Sequence, residues 1–190
     1  MNLVERNSKF NILLAGIIGL FIGVGVARFS YTSLLPSMLA DNTLSLTFSA
    51  ILASINYVGY LSGSIFAIFI KDINTKVKYF RLGIILCILT TIIMGVTTNE
   101  VLWLLGRVIA GFGAAMALVV GAAIVMTKLN FQDKTKAMGI YFSGIGIALA
   151  SSDIISRYVL SFSSWQNSWI VLTFCAIAVA AYPLYILSFD

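Results

Sequence analysis

Along the chain, long apolar runs alternate with short breaks that collect most of the charge. Six runs can be drawn, at about 11–39, 46–70, 79–98, 101–127, 137–160 and 165–189. A helix rises 1.5 Å per residue, so about 20 apolar residues cross the roughly 30 Å hydrocarbon slab of a bilayer. The runs carry scattered glycines and no period-two alternation, which predicts helices and not the roughly 10-residue alternating strands of a membrane barrel. The expected fold is therefore an all-α polytopic membrane protein, with residues 1–190 forming one six-helix transmembrane domain. The first run is longer than the roughly 7–15 apolar residues of a signal peptide, and no small-residue cleavage site stands out after it, so cleavage is not expected.

Composition agrees with the pattern: 60% of residues are hydrophobic and 10% charged, against roughly 25% charged in a soluble domain. The net charge of +5 would suggest a nucleic-acid partner in a soluble chain. Here the cations cluster between apolar runs, so the lipid bilayer is the expected surrounding and no nucleic acid is. Arg6 and Lys9 precede the first run, Lys71, Lys76, Lys78 and Arg81 separate the second from the third, and Lys128, Lys134 and Lys136 separate the fourth from the fifth. The breaks around Asp41 and around Asn99-Glu100 hold no Lys or Arg, and the fifth break has only Arg157 near its start. Cytoplasmic connections carry the excess of Lys and Arg, so a multi-pass protein of the inner (cytoplasmic) membrane with both termini inside is expected. Trp103, Trp165 and Trp169 then fall near the outer ends of runs four and six, where an indole would bridge headgroups and hydrocarbon.

Cys87 and Cys175 lie inside apolar runs, there is no CxxC and no histidine, and no run contains paired carboxylates. No disulfide, metal, cofactor or enzymatic chemistry is expected from such a set.

Three charged side chains lie well inside the runs, Arg28, Arg107 and Asp153, with Arg157 one turn beyond the last. Counted along the helices, Arg28 lies about 5 Å, Asp153 about 7 Å and Arg107 about 10 Å outward of their span centres, in one layer. A charge near the bilayer centre costs roughly 2.5–3.5 kcal/mol on the insertion scale and normally faces a bundle interior or a wet cavity. Two readings follow. Either the three charges form a polar interior layer, or Asp153 pairs with Arg157 at i,i+4 while Arg28 snorkels outward. Tyr31, and Asn56 with Tyr60 on one face of the second run, either line the same cavity or bond to a neighbouring helix. The spaced glycines of runs four and five read mainly as sites of close helix packing.

Several segments together resemble a known family. Six spans with both ends inside, a basic second connection and "LLGRVIAGFGAA" in span four, with Arg107, Gly111, Gly113 and Ala114, are similar to the N-terminal half of a major facilitator superfamily transporter. "GVARFSYTSLLPSML", "LASINYVGYLSGS" and "GIYFSGIGIALAS" resemble its YbfB/YjiJ branch. The loop "FIKDINTKVKYFRLG" keeps Asp72, Lys76 and Lys78 of the superfamily's cytoplasmic gating motif, with Ile68 and Thr75 where glycines are usual. Span five has Gly144-Ile145-Gly146 in place of the Gly-Pro pair of drug antiporters.

The resemblance implies a secondary transporter half built as a 3+3 inverted repeat. It places Arg28 and Arg107 on cavity-lining helices, with Asp153 balancing part of their charge. Such a positive cavity implies a small polar or anionic solute, with proton coupling if Asp153 changes protonation. The pathway of the family lies between two halves, so the expected partner is a second copy or another six-helix half. The competing expectation is a non-transporting interaction protein or a vestigial fragment.

Overall fold

Each helix start with a visible cap falls just after a short polar residue that takes up a free backbone N–H. In the computed structural model, which describes residues 8–128 and 134–187, α1 runs Lys9–Ala40 and Ser8 Oγ accepts from the Asn11 N–H at 3.3 Å. Helix α2, Leu46–Ile68, begins with Ser45 accepting from Phe48 N–H at 3.1 Å. Helix α3, Ile73–Val96, begins with Asp72 accepting from Thr75 N–H at 2.9 Å. Helix α4, Glu100–Thr127, is capped by Asn99 on Leu102 N–H at 3.1 Å. Helix α5 spans Lys134–Leu160, and α6, Trp165–Ile186, is capped by Ser164 on Asn167 N–H at 3.4 Å.

All six helices are long and apolar enough to cross a membrane, and no strand occurs among the described residues. Arg6, residues 129–133 and the end of the sixth expected span at 188–189 lie outside the described residues, as does the side chain of Lys128.

Helices α1 and α4 form the centre of the bundle, with 61% of the most apolar stretch of each buried, whereas α2 and α5 flank them with only 22% buried. The close seam between α2 and α4 depends on glycine: a Cβ on Gly59 would meet the Val108 carbonyl, and one on Gly111 would meet the carbonyl of Asn56. Gly144 likewise lies against Ile17 and Leu20. Gly139 and Gly146 depart from the packing expectation, for both face open space on the outer side of α5.

Both central helices widen locally into π turns, at Phe21–Phe29 in α1 and Met116–Val120 in α4. A π turn changes the backbone bonding pattern and frees carbonyls that need another donor. Tyr141 of α5 supplies one in α4, its hydroxyl lying 2.9 Å and 3.0 Å from the carbonyl oxygens of Ala117 and Leu118.

The tryptophans differ from expectation. Trp103, Trp165 and Trp169 are buried between helices and do not face a headgroup layer. Trp103 and Trp165 pack edge-to-face with centroids 6.1 Å apart, and Trp165 Nε1 donates to Asp41 Oδ2 at 2.9 Å. A large flat ring buries more area between helices than an aliphatic side chain does.

Candidate functional site

The α2–α4 seam positions Arg107 deep inside the bundle, where it is 3% exposed. Its Nη1 donates to the Ala27 carbonyl of α1 at 3.1 Å and its Nε to the Leu52 carbonyl of α2 at 3.4 Å. One guanidinium therefore joins three helices, and the Ala27 oxygen it reaches belongs to the π turn of α1. The guanidinium also lies 4.5 Å from the centroid of the Tyr31 ring. Tyr31 is anchored in turn, donating its hydroxyl to the Ser49 carbonyl at 3.0 Å.

Asn56 reaches across the seam from α2 to α4. Its Nδ2 donates to the Arg107 carbonyl at 2.8 Å, and its side of α2 also lines a small pocket between α1 and α2. That pocket, about 50 Å³, is bounded by Arg28, Phe29, Tyr31, Thr32, Ala53, Asn56, Tyr57 and Arg107. Arg28 does not simply snorkel: its guanidinium lies over the rings of Tyr60 at 4.3 Å, Tyr57 at 4.5 Å and Phe29 at 5.4 Å. Cation–π contacts of this kind stabilise a cation by about 0.5–2 kcal/mol without neutralising it. Two arginines thus help to line the pocket, and none of its lining residues is acidic.

Asp153 stands apart from that pocket. Its carboxylate accepts from Arg157 Nε at 2.9 Å and 3.0 Å and from Ser33 Oγ at 2.6 Å. The i,i+4 pair foreseen as an alternative is formed, and Asp153 is not among the residues lining the two-arginine pocket.

At the α2–α3 connection, Asp72 is the α3 cap and accepts from both the N–H and the hydroxyl of Thr75. The Thr75 backbone N–H, followed by its hydroxyl, holds the exposed Asp72 carboxyl below the usual carboxylate range. Lys76 Nζ donates to the Lys71 carbonyl at 3.3 Å, and Lys78 is exposed. Thr75, which stands where the resembling motif has glycine, thus completes the cap.

Sequence reasoning did not place Phe29, Thr32, Ala53 or Tyr57 at the site. Tyr57 follows Asn56 and lies three residues from Tyr60, so helical spacing carried a signal for it. The other three become visible only when α1 and α2 are set side by side.

Residues 20–188 match the family described as an uncharacterised MFS-type transporter YbfB. A multidrug efflux pump, SdrM, of Staphylococcus aureus (strain N315) is 25% identical over 151 residues, 79% of this chain and 32% of the pump. An uncharacterised transporter of Buchnera aphidicola subsp. Schizaphis graminum is 23% identical over 187 residues, 96% of this chain and 44% of that protein. The MFS-type transporter poxA of Penicillium oxalicum is 31% identical over 108 residues, 56% of this chain and 18% of poxA. The matches thus cover less than half the length of each of these relatives.

Proposed function

Because the chain belongs to the YbfB-type family of major facilitator transporters, we propose that it forms one half of a secondary transporter that moves a small anionic solute across the cytoplasmic membrane. The observation that carries this reading is the pairing of Arg28 and Arg107 in one pocket with no acidic lining residue. Like charges drawn into one low-dielectric space repel, and an anion between them removes that repulsion while using guanidinium donors that protein groups leave free.

The other parts of the reading follow from the architecture. Both termini lie in the cytoplasm, because the cationic connections share one side. A second six-helix half, whether another copy or a different chain, covers the flanking helices α2 and α5, whose outer faces are the least buried. Asp153 is the intramembrane carboxylate available to a coupled proton, through exchange of its bonds to Ser33 and Arg157. Asp72, Lys76 and Lys78 form the cytoplasmic gating loop.

The test is uptake into proteoliposomes containing this chain alone and together with a candidate second half, with radiolabelled anions and neutral analogues of matched size. Arg28- and Arg107-dependent uptake of an anion supports the reading. Uptake of neutral solutes that survives both arginine substitutions overturns it, and a protein that moves nothing in either arrangement is a non-transporting one.

A further inference from the structure

Tyr141 of α5 is fully buried and is not among the residues lining the two-arginine pocket. A buried phenol hydroxyl needs a partner. In the π turn of α4 the Gly121 N–H reaches the carbonyl of Met116, five residues back, and that of Leu118, three back. An α-helical ladder would give this N–H to Ala117, four back. The π turn thus leaves the Ala117 carbonyl over, and that is the oxygen to which Tyr141 donates at 2.9 Å, with the Leu118 oxygen at 3.0 Å. Two glycines leave room for the side chain: a Cβ on Gly16 of α1 would lie 2.8 Å from the Tyr141 ring, and one on Gly121 of α4 would lie 2.6 Å from its hydroxyl.

The bond has a consequence along α4. A π turn closes its hydrogen bonds one residue farther back than the ladder on either side of it, so a return to α pitch turns one end of the helix against the other by one residue, about 100°. Arg107 stands nine residues before Met116, about 13 Å along the axis. Turned that far, its guanidinium leaves the carbonyls of Ala27 and Leu52, which hold it at 3.1 Å and 3.4 Å. Without the hydroxyl the α pitch is favoured, because it gives the Ala117 carbonyl the Gly121 N–H and leaves no buried acceptor without a donor.

We propose that α4 has two registers and that Tyr141 is the positioning residue that selects the one in which Arg107 lines the pocket. Helix α5 contributes no lining residue among those bounding the pocket, yet through this bond it sets where Arg107 points. The proposal stands on helix geometry and is independent of what the pocket binds.

The test measures the azimuth of α4 in the full chain in nanodiscs by pulsed dipolar EPR, with Cys87 and Cys175 replaced by Ala. Spin labels go on exposed residues of α4 on either side of the π turn, Leu105 and Met126, and are triangulated from labels at exposed Leu61 of α2 and Phe174 of α6. A turn of 100° carries a side chain at the helix surface by about 8 Å. Tyr141→Phe, which keeps the ring and loses the donor, should move the Leu105 label by about that distance relative to the one at Met126, or add a second population so displaced. Gly121→Ala, whose Cβ would push the hydroxyl away, should do the same. Deleting Leu118 in the Tyr141→Phe chain takes out the extra residue of the π turn, so the Leu105 label should return to its parent position. Parent distances in both Tyr141→Phe and Gly121→Ala overturn the proposal, as does a deletion that leaves the label displaced or unfolds the chain. Loss of the thermal unfolding transition in both single variants makes Tyr141 a packing residue only and overturns it too.

Discussion

The guanidinium of Arg107 lies 4.5 Å from the ring centroid of Tyr31 while its Nη1 bonds the Ala27 carbonyl one turn earlier on the same helix. α1 is thereby held to α4 by a cation that touches it both at a ring and at a carbonyl of the π turn. The side chain that helps to line the two-arginine pocket is also the one that ties the two central helices together.

Replacing Arg107 by Ala should lower solute affinity about 30-fold or more, since losing one member of a buried charge contact costs on the order of 2–5 kcal/mol and 1.4 kcal/mol is tenfold. Membrane insertion should persist, because removing an intramembrane charge makes insertion easier. Binding assays set beside a membrane-fraction blot check both halves. Normal affinity in Arg107→Ala would remove it from the site.

Gly111→Val should destabilise the bundle by about 1–3 kcal/mol through overpacking of the α2–α4 seam, where the added carbons meet Asn56 and Tyr60 backbone. Gly146→Ala, facing open space, should stay within about 0.5 kcal/mol. Thermal unfolding in detergent compares them. A larger substitution, Gly146→Trp, should leave the stability of this half unchanged and lower transport if a second half packs on α5; unchanged transport argues against that packing.

Cysteine substitutions near Asp41 and Glu100 should react with an impermeant thiol reagent from outside, and those near Lys76 and Lys134 only after permeabilisation, because the cations are retained in the cytoplasm. The opposite labelling pattern reverses the proposed orientation.

The Asp72 cap gives a pH dependence with a definite sign. Its carboxyl is held below the usual range by the Thr75 N–H, so its folded-state value is depressed relative to the unfolded chain. The stabilisation is present above the ordinary carboxylate range and disappears as pH falls through the lower folded value. The amide signal of Thr75, followed by NMR in micelles through acid titration, should shift in the parent and lose that transition in Asp72→Asn. An identical transition in both assigns it to another group.

The apolar pattern determined by itself that there are six helices, because a residue's transfer energy into hydrocarbon depends on its own side chain and hardly on its neighbours. The caps Ser8, Ser45, Asp72, Asn99 and Ser164 act through bonds only three residues away, so each is a local feature of the chain. Arg28 and Arg107 were visible as expensive residues with a reason to be kept. What tertiary structure alone decided is which way each side chain turns. Hydropathy places a residue in the membrane without choosing its azimuth, which is set by helix crossing and close contact. Hence the tryptophans went inward instead of to a headgroup layer, Gly139 and Gly146 stayed open while Gly111 and Gly59 closed a seam, and the donors of Arg107 found the carbonyls of Ala27 and Leu52. The pairing of Arg28 with Arg107 across a small pocket belongs to this second kind of fact. It joins residues far apart in sequence beside a small gap between α1 and α2.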